Sequence, residues 1–109
     1  MKAIARVRKR QGRCYELAGR VMLNEQNAEQ LTLIHGRASQ LENGPLIDHA
    51  WIIRADGGVY DPVLNGPRPT GPGWEARIIS RYTYQEAMHL MTTHGHWGPW
   101  TTQPGIRHR

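Results

Sequence analysis

The fold turns on the segment that runs from residue 48 to residue 62, DHAWIIRADGGVYDP. Residues 49–54 are rich in β-branched and aromatic side chains, which is typical of a strand. Residues 55–58, with the sequence ADGG, have the composition of a turn, and residues 59–61 predict a second strand. Pro62 ends this second strand because proline has no N–H to donate to a sheet. The segment therefore predicts a β-hairpin.

The length of the hairpin turn decides whether His49 and Asp61 share one face of the sheet. Side chains alternate between the two faces along a strand. A turn of two residues would put the two side chains on opposite faces. A turn of three residues, 55–57, pairs Trp51 with Asp61 and leaves His49 one diagonal step away, within side-chain reach. We expect the three-residue turn, or a longer loop of the same parity, because Gly57 adopts the required positive φ without steric cost.

The segment before the hairpin predicts one helix and one more strand. Apolar residues recur there at the spacing of one helix face: Cys14, Leu17, Ala18 and Val21. Gly12 is the expected N-cap, since the usual capping side chains are missing just before Cys14. The helix should end between residues 24 and 27. Residues 31–36 alternate and predict a strand, and residues 40–45 predict a loop that leads into the hairpin.

The segment after the hairpin predicts a strand and a second helix. Residues 65–73 hold three Pro and three Gly, so they are expected to be irregular. Residues 76–82 predict a strand. Thr83 is followed three residues later by Glu86, which is the pattern of a capping box at the start of a helix. Residues 94–95, His-Gly, are expected to end that helix.

Length and composition indicate one domain of the α+β class. The chain has 109 residues, which suits a single unit over residues 1–109. We expect an N-terminal helix packed on an antiparallel β-meander, a C-terminal helix, and an extended tail over residues 97–109. A single cysteine excludes an internal disulfide and suits a reducing compartment. No apolar run approaches the roughly 18 residues of a membrane span, and we expect a cytoplasmic protein without a secretory signal.

Positive charge is concentrated near the N-terminus. Fourteen Lys and Arg against nine Asp and Glu give a net charge of +5. Five basic residues lie close together: Arg6, Arg8, Lys9, Arg10 and Arg13. The basic arm over residues 1–10 suits an acidic protein partner or a nucleic acid, although a solvated terminus would look the same. The sequence does not predict an oligomeric state.

Three residues are candidates for chemistry: Cys14, His49 and Asp61. Cys14 is predicted in the first turn of a helix and facing the end of the His49 strand. Helix N–H groups and the adjacent Arg13 would lower the pKa of the thiol there. A nucleophilic cysteine needs a base within reach, and the base needs a third group to fix its tautomer. Each residue also has a plainer interpretation: Cys14 as core, His49 as a buried or rim histidine, and Asp61 as a turn former.

The order of these residues resembles the papain-like superfamily, in particular its transglutaminase-like and NlpC/P60-like branches. The matching stretches are RCYELA at residues 13–18, DHAW at 48–51 and VYDP at 59–62. LIHG at residues 33–36 is similar to the strand that precedes the histidine strand in small members, many of them from phages. The resemblance covers about residues 11–64.

The resemblance implies a minimal papain-like fold and a thiol-dependent hydrolase or acyltransferase. The reaction classes it leaves open are amidase, peptidase, deamidase and transglutaminase, acting on an amide, isopeptide or ester of a protein partner. Cys14 would be the nucleophile, His49 the base and Asp61 the residue that orients the base. The N–H of Cys14 would bind the oxyanion. The expected substrate-binding residues are Gln11, as a second oxyanion donor, Trp51 and His35.

No metal or other cofactor is expected. His89, His94 and His96 lie close in sequence, but no cysteine is near them and acidic residues are sparse. Two other function classes remain open. The same scaffold could serve as a catalytically silent binding or inhibitor protein, and the basic arm could make the chain a nucleic-acid-binding module.

Overall fold

The structure is a computed structural model that describes residues 13–100. Within these residues, two helices and five strands follow one another, with one short 3₁₀ turn at Ala28–Gln30: α1 (Cys14–Asn24), β1 (Thr32–Ser39), β2 (Leu46–Ile53), β3 (Val59–Asp61), β4 (Gly66–Pro67), β5 (Ala76–Tyr82) and α2 (Tyr84–His94). This order confirms the predicted α+β class, with a helix at each end of an antiparallel sheet. The basic arm over residues 1–10 lies outside the described residues.

The five strands form one antiparallel sheet in the order β4-β3-β2-β1-β5. β2 therefore lies in the middle of the sheet, and β1 lies between β2 and β5. The two-residue strand β4, Gly66–Pro67, falls in a segment that was expected to be irregular throughout. The correction is small, since a proline is tolerated at the edge of a sheet, where its missing N–H leaves no gap in a ladder.

The turn between β2 and β3 contains three residues, as predicted. The N–H of Arg54 donates to the carbonyl of Gly58 at 2.8 Å and closes a loop of residues 55–57. Gly57, the last of these, has a φ of 87°, the left-handed region that glycine adopts without strain. The strands β2 and β3 pair at residues 52 and 53. If this register is continued toward the open end of the hairpin, His49 and Asp61 lie on the same face of the sheet.

The two faces of the sheet are covered differently. Both helices pack on one face, where the main core lies: Ala18, Met22, Leu31, Leu33, Ala50, Ile52, Tyr82, Ala87 and Trp100. A smaller apolar cluster lies on the other face: Ile34, Ala38 and Trp51, with Ile53 and Val59 packed against it. Because side chains alternate along β2, His49 lies on this second face, away from the helices.

The helix ends follow the sequence signals in one case and depart from them in the other. α2 begins with the predicted capping box: Glu86 N–H donates to Thr83 Oγ1 at 3.1 Å, and Thr83 N–H donates to the Glu86 carboxylate at 2.9 Å. Gly95 ends it in the left-handed conformation. α1 has Arg13 as its N-cap, not Gly12, and no side chain caps it. The carbonyl of Arg13 already accepts the first helical bond, which places the cap one residue later than expected.

Neither helix among residues 13–100 has the length and apolar character needed to cross a membrane. The predicted extended tail is described only up to residue 100. Trp100 is buried in the main core, and its indole N–H donates to the carbonyl of His96 at 3.0 Å. The first residues of the tail therefore pack back onto the domain, and residues 101–109 lie outside the described part.

Candidate active site

His49 and Asp61 form a hydrogen-bonded pair that is completely buried. The Nε2 atom of His49 lies 3.0 Å from Oδ1 and 2.9 Å from Oδ2 of Asp61. A carboxylate only accepts hydrogen bonds, so Nε2 is the donor in this pair, and Nδ1 is the ring nitrogen that the pair leaves open. The three-residue turn is what makes this contact possible, since it puts both side chains on one face.

Asp61 is held by two donors besides the histidine. The N–H of Val63 donates to Oδ1 at 3.0 Å, and Nη1 of Arg68 donates to Oδ2 at 2.9 Å. Burial alone would raise the pKa of the Asp61 carboxyl, but the hydrogen bonds and charges of His49 and Arg68 outweigh it and lower this pKa below its ordinary value. Asp61 is therefore ionised at neutral pH, as a residue that orients a histidine must be.

Arg68 was not identified from the sequence. It lies in the Pro- and Gly-rich segment, between Pro67 and Pro69, and that composition predicts only the absence of regular structure. Its side chain is 5% exposed. The available signal was that Arg68 is the only charged residue between residues 62 and 74 and lies between two prolines. This signal does not indicate that Asp61 is its partner.

Cys14 is the first residue of α1, as predicted, and lies against the open edge of β2. The hydrogen bond that closes the hairpin comes from Arg54, so even-numbered residues of β2 turn their backbone groups toward β3. Within the described chain, β3 pairs with β2 only at residues 52–53. The thiol occupies the edge beyond this pairing: its Sγ lies 4.0 Å from the carbonyl of Asp48, and the N–H of Ala50 hydrogen-bonds to it.

The predicted lowering of the Cys14 pKa is wrong. Burial raises the pKa of the thiol to about 11, and the opposing N–H groups of Ala50 and Tyr15 do not compensate for it. Arg13, which was expected to help, instead directs its guanidinium to Glu16 at 3.2 Å. The helix start therefore carries a neutral thiol at pH 7, because only 3% of Cys14 is exposed to water.

No hydrogen bond joins the Cys14 thiol to the His49 imidazole. Sγ of Cys14 reaches the peptide groups on either side of His49, as described above. Nδ1 of His49 is buried and has no hydrogen-bond partner. Since Nε2 is occupied by Asp61, Nδ1 is the only ring nitrogen of His49 without a partner.

The other predicted site residues have different positions. Trp51 is buried and packs its ring on that of His49, with centroids 5.8 Å apart and planes inclined by 27°. His35, which was expected to line the same cleft, lies instead on the helix side of the sheet, because residue 35 shares a face with Leu33 in the main core. Gln11 lies outside the described residues.

A metal site finds no support within residues 13–100, where no group of three suitable His, Cys, Asp or Glu side chains comes together. Comparisons with protein-family models, with curated proteins and with solved structures found no match to this chain. The function must therefore be inferred from the chemistry of Cys14, His49 and Asp61. A thiol, an imidazole with one free nitrogen and an ionised carboxylate are the groups that covalent acyl transfer needs.

Proposed function

We propose that this protein is a papain-like, thiol-dependent hydrolase or acyltransferase that forms an acyl-enzyme on Cys14. The observation that carries the proposal is the buried bond from His49 Nε2 to Asp61. It fixes the tautomer that leaves Nδ1 as a base, in the histidine whose flanking peptide groups touch the thiol. A histidine that served packing alone would not need an ionised carboxylate on one nitrogen and a bare second nitrogen.

The chemistry follows from these roles. Sγ of Cys14 forms a bond to the substrate carbonyl carbon while the thiol proton moves to Nδ1 of His49, and the carbonyl electron pair becomes an oxyanion. The Cys14 N–H, one of the first four of α1, has no acceptor within this helix and would suit the oxyanion, a contribution of about 3 kcal/mol per donor in comparable sites. The bond to the leaving nitrogen or oxygen then breaks, and His49 returns the proton to it.

The second half of the reaction releases the enzyme. Water, or an amine, attacks the thioester carbon and passes a proton to His49, and the Sγ–carbon bond breaks. Protonation of the departing sulfur by His49 restores the starting state. Hydrolysis, deamidation and transglutamination share this path and differ in the group that resolves the thioester. An acidic protein substrate suits the net charge of +5.

A second candidate function has its own supporting observation. Cys14 is buried, the pKa of its thiol is raised to about 11, and no hydrogen bond joins it to His49. These features suit a catalytically silent binding protein, in which the same three residues only hold α1 against the sheet. The basic charge would then serve to bind an acidic protein or a nucleic acid.

Alkylation of the thiol separates the two candidates. The chain has a single cysteine, so iodoacetamide labelling followed by intact-protein mass spectrometry reports on Cys14 alone. Because the thiol itself is protonated at neutral pH, we expect labelling of the enzyme at pH 6–7 to need His49 as the base that takes its proton, and so to be lost in His49→Ala. The matched control is His89→Ala, which removes an exposed histidine and should change nothing.

The opposite result is equally clear. Labelling that is slow at pH 7, rises only in strong base and is the same in His49→Ala would overturn the enzyme proposal. It would leave the silent binding protein as the function that the buried thiol supports.

A further inference from the structure

We infer that Arg68 is a positioning residue that holds Asp61 in register with His49. The inference rests on the proposed function for its catalytic consequence, but not for its structural test. Nη1 of Arg68 donates to Asp61 Oδ2 at 2.9 Å, and Nη2 donates to the carbonyl of Ser39 at 2.6 Å, with the carbonyl of Glu75 at 3.4 Å. One planar guanidinium thus joins the carboxylate to two backbone groups.

The two backbone acceptors explain why the guanidinium is fixed. Ser39 is the last residue of β1, and Glu75 precedes β5. The two segments are themselves joined, since Ser39 N–H donates to the carbonyl of Glu75 at 2.9 Å and Glu75 N–H donates to Ser39 Oγ at the same distance. Pro67 and Pro69 restrict the backbone on both sides of the arginine. Arg68 therefore extends toward Asp61 from a restricted backbone, and its backbone acceptors are themselves hydrogen-bonded to each other's segments.

The contacts of Asp61 explain what the arginine does. Each carboxylate oxygen has one donor besides the imidazole: Val63 N–H for Oδ1 and Arg68 for Oδ2. With both in place, the carboxylate cannot rotate about its own axis, and its two oxygens stay at 3.0 and 2.9 Å from His49 Nε2. Without Arg68, one oxygen loses its second donor, and the carboxylate is free to turn away from the ring.

The charge of Arg68 supports the same role. Its side chain is almost as buried as the carboxylate of Asp61. An unpaired charge is costly in such a buried position, and here the two opposite charges neutralise each other. A carboxylate that stays ionised and correctly turned keeps the proton on Nε2 and leaves Nδ1 bare. Arg68 thus acts on the base through Asp61 and does not touch the reacting atoms.

The test compares Arg68→Met and Arg68→Lys with Arg77→Met, which removes an exposed arginine from β5. The main measurement is the ¹⁵N NMR spectrum of the His49 ring, which reports the tautomer directly. We expect one tautomer, protonated at Nε2, in the wild type and in Arg77→Met, and a mixture of tautomers in Arg68→Met. Lysine keeps the charge but not the planar fork, so Arg68→Lys should fall between the two.

The catalytic consequence is measured separately, as the rate of Cys14 alkylation at pH 7. Loss of the partners that orient metal-ligating histidines costs about 10–100-fold in affinity or activity, and by analogy we expect a decrease of that size in Arg68→Met. An unreactive Cys14 in the wild type would overturn the proposed function, while the tautomer would still report on Arg68.

The inference about Arg68 fails if folded Arg68→Met, checked by circular dichroism, keeps a single Nε2-protonated tautomer. Should Arg68→Met not fold, Arg68→Lys decides. A ring with the wild-type tautomer population would overturn the positioning role, and a mixed population would support it.

Discussion

Two buried histidines on neighbouring strands have opposite surroundings. His49 on β2 lies on the face away from the helices and bonds to Asp61. His35 on β1 lies on the helix face, and neither of its ring nitrogens has a hydrogen-bond partner. It is enclosed by three aromatic rings, with centroid distances of 4.7 Å to Tyr15, 5.0 Å to Tyr82 and 4.9 Å to Trp100. The side chains that meet each ring, and not its burial, therefore distinguish the two histidines.

The electrostatic consequence of this difference is clearest at His35. Burial without a partner lowers the pKa of its imidazole to about 4, so the ring stays neutral under ordinary conditions. The ring of His49, in contrast, has a permanent anionic partner. The same residue type thus serves as aromatic packing on one face and as a polarised ring on the other.

The largest effect is expected from removing Asp61, the anionic partner that distinguishes His49 from His35. Asp61→Ala leaves Nη1 of the buried Arg68 and Nε2 of His49 without their acceptor. Breaking a buried ion pair by removing one partner costs about 3–5 kcal/mol, and we expect a loss of that size in the free energy of unfolding, measured by urea denaturation. Asp48→Ala is the control, since its carboxylate is exposed and lies 3.6 Å from an exposed arginine; a change below about 0.5 kcal/mol is expected there. Equal effects at the two positions would contradict the buried network.

Acid should act on His35 next. In the unfolded chain its imidazole titrates near pH 6.5, whereas the folded value is about 4. Below pH 6.5 the unfolded state binds the proton more readily, so stability falls as the pH decreases from about 6.5 to about 4 and is constant above this window as far as this residue is concerned. The difference corresponds to roughly 3 kcal/mol. The free energy of unfolding, measured in urea at several pH values, checks this.

His35→Phe should remove the pH dependence of that window, because phenylalanine fills the aromatic enclosure without a titrating group. His89→Phe, at an exposed position of α2, should keep it. Asp61 contributes its own acid sensitivity, but at lower pH, because its pKa is lowered below the ordinary carboxyl value. Acid sensitivity between pH 6.5 and 4 that persists in His35→Phe would show that another group is responsible.

The sequence was sufficient for both described helices, for every described strand except β4, and for the pairing of His49 with Asp61. The alternation in β2, the capping box at Thr83 and the glycine at position 57 are local signals that depend on neighbours in the chain. The hairpin register follows from turn length alone, so the contact between residues 49 and 61 was predictable. Local chemistry of this kind is what sequence patterns record.

What could not be predicted depends on which groups the folded chain buries and which distant segments it brings together. The helix start at Cys14 correctly indicated donors for a thiolate, but the pKa was decided by burial against β2. The alternation of β1 did not say which of its two faces would meet the helices, so His35 was assigned to the wrong side. Arg68 reaches Asp61 from a segment without hydrophobic periodicity, so the sequence does not indicate which way its side chain points.

The smallest effect is expected from glycine substitutions that change neither histidine. Gly57 has a φ of 87° and Gly95 a φ of 73°, and an added Cβ would meet nothing within 4 Å at either position. An alanine at each site is strained only by its backbone, at about 1–2 kcal/mol, so Gly57→Ala and Gly95→Ala should lose similar amounts of unfolding free energy. They should differ at His49. Gly57 ends the turn that sets Asp61 on the same face of the sheet as His49, whereas Gly95 ends α2 on the other side of the sheet. We expect Gly57→Ala alone to disturb the single Nε2-protonated tautomer of His49 in its ¹⁵N NMR spectrum. If both variants, or neither, change the ring, then the turn does not control the His49–Asp61 contact, and the hairpin register would have to be held by the network around Arg68 instead.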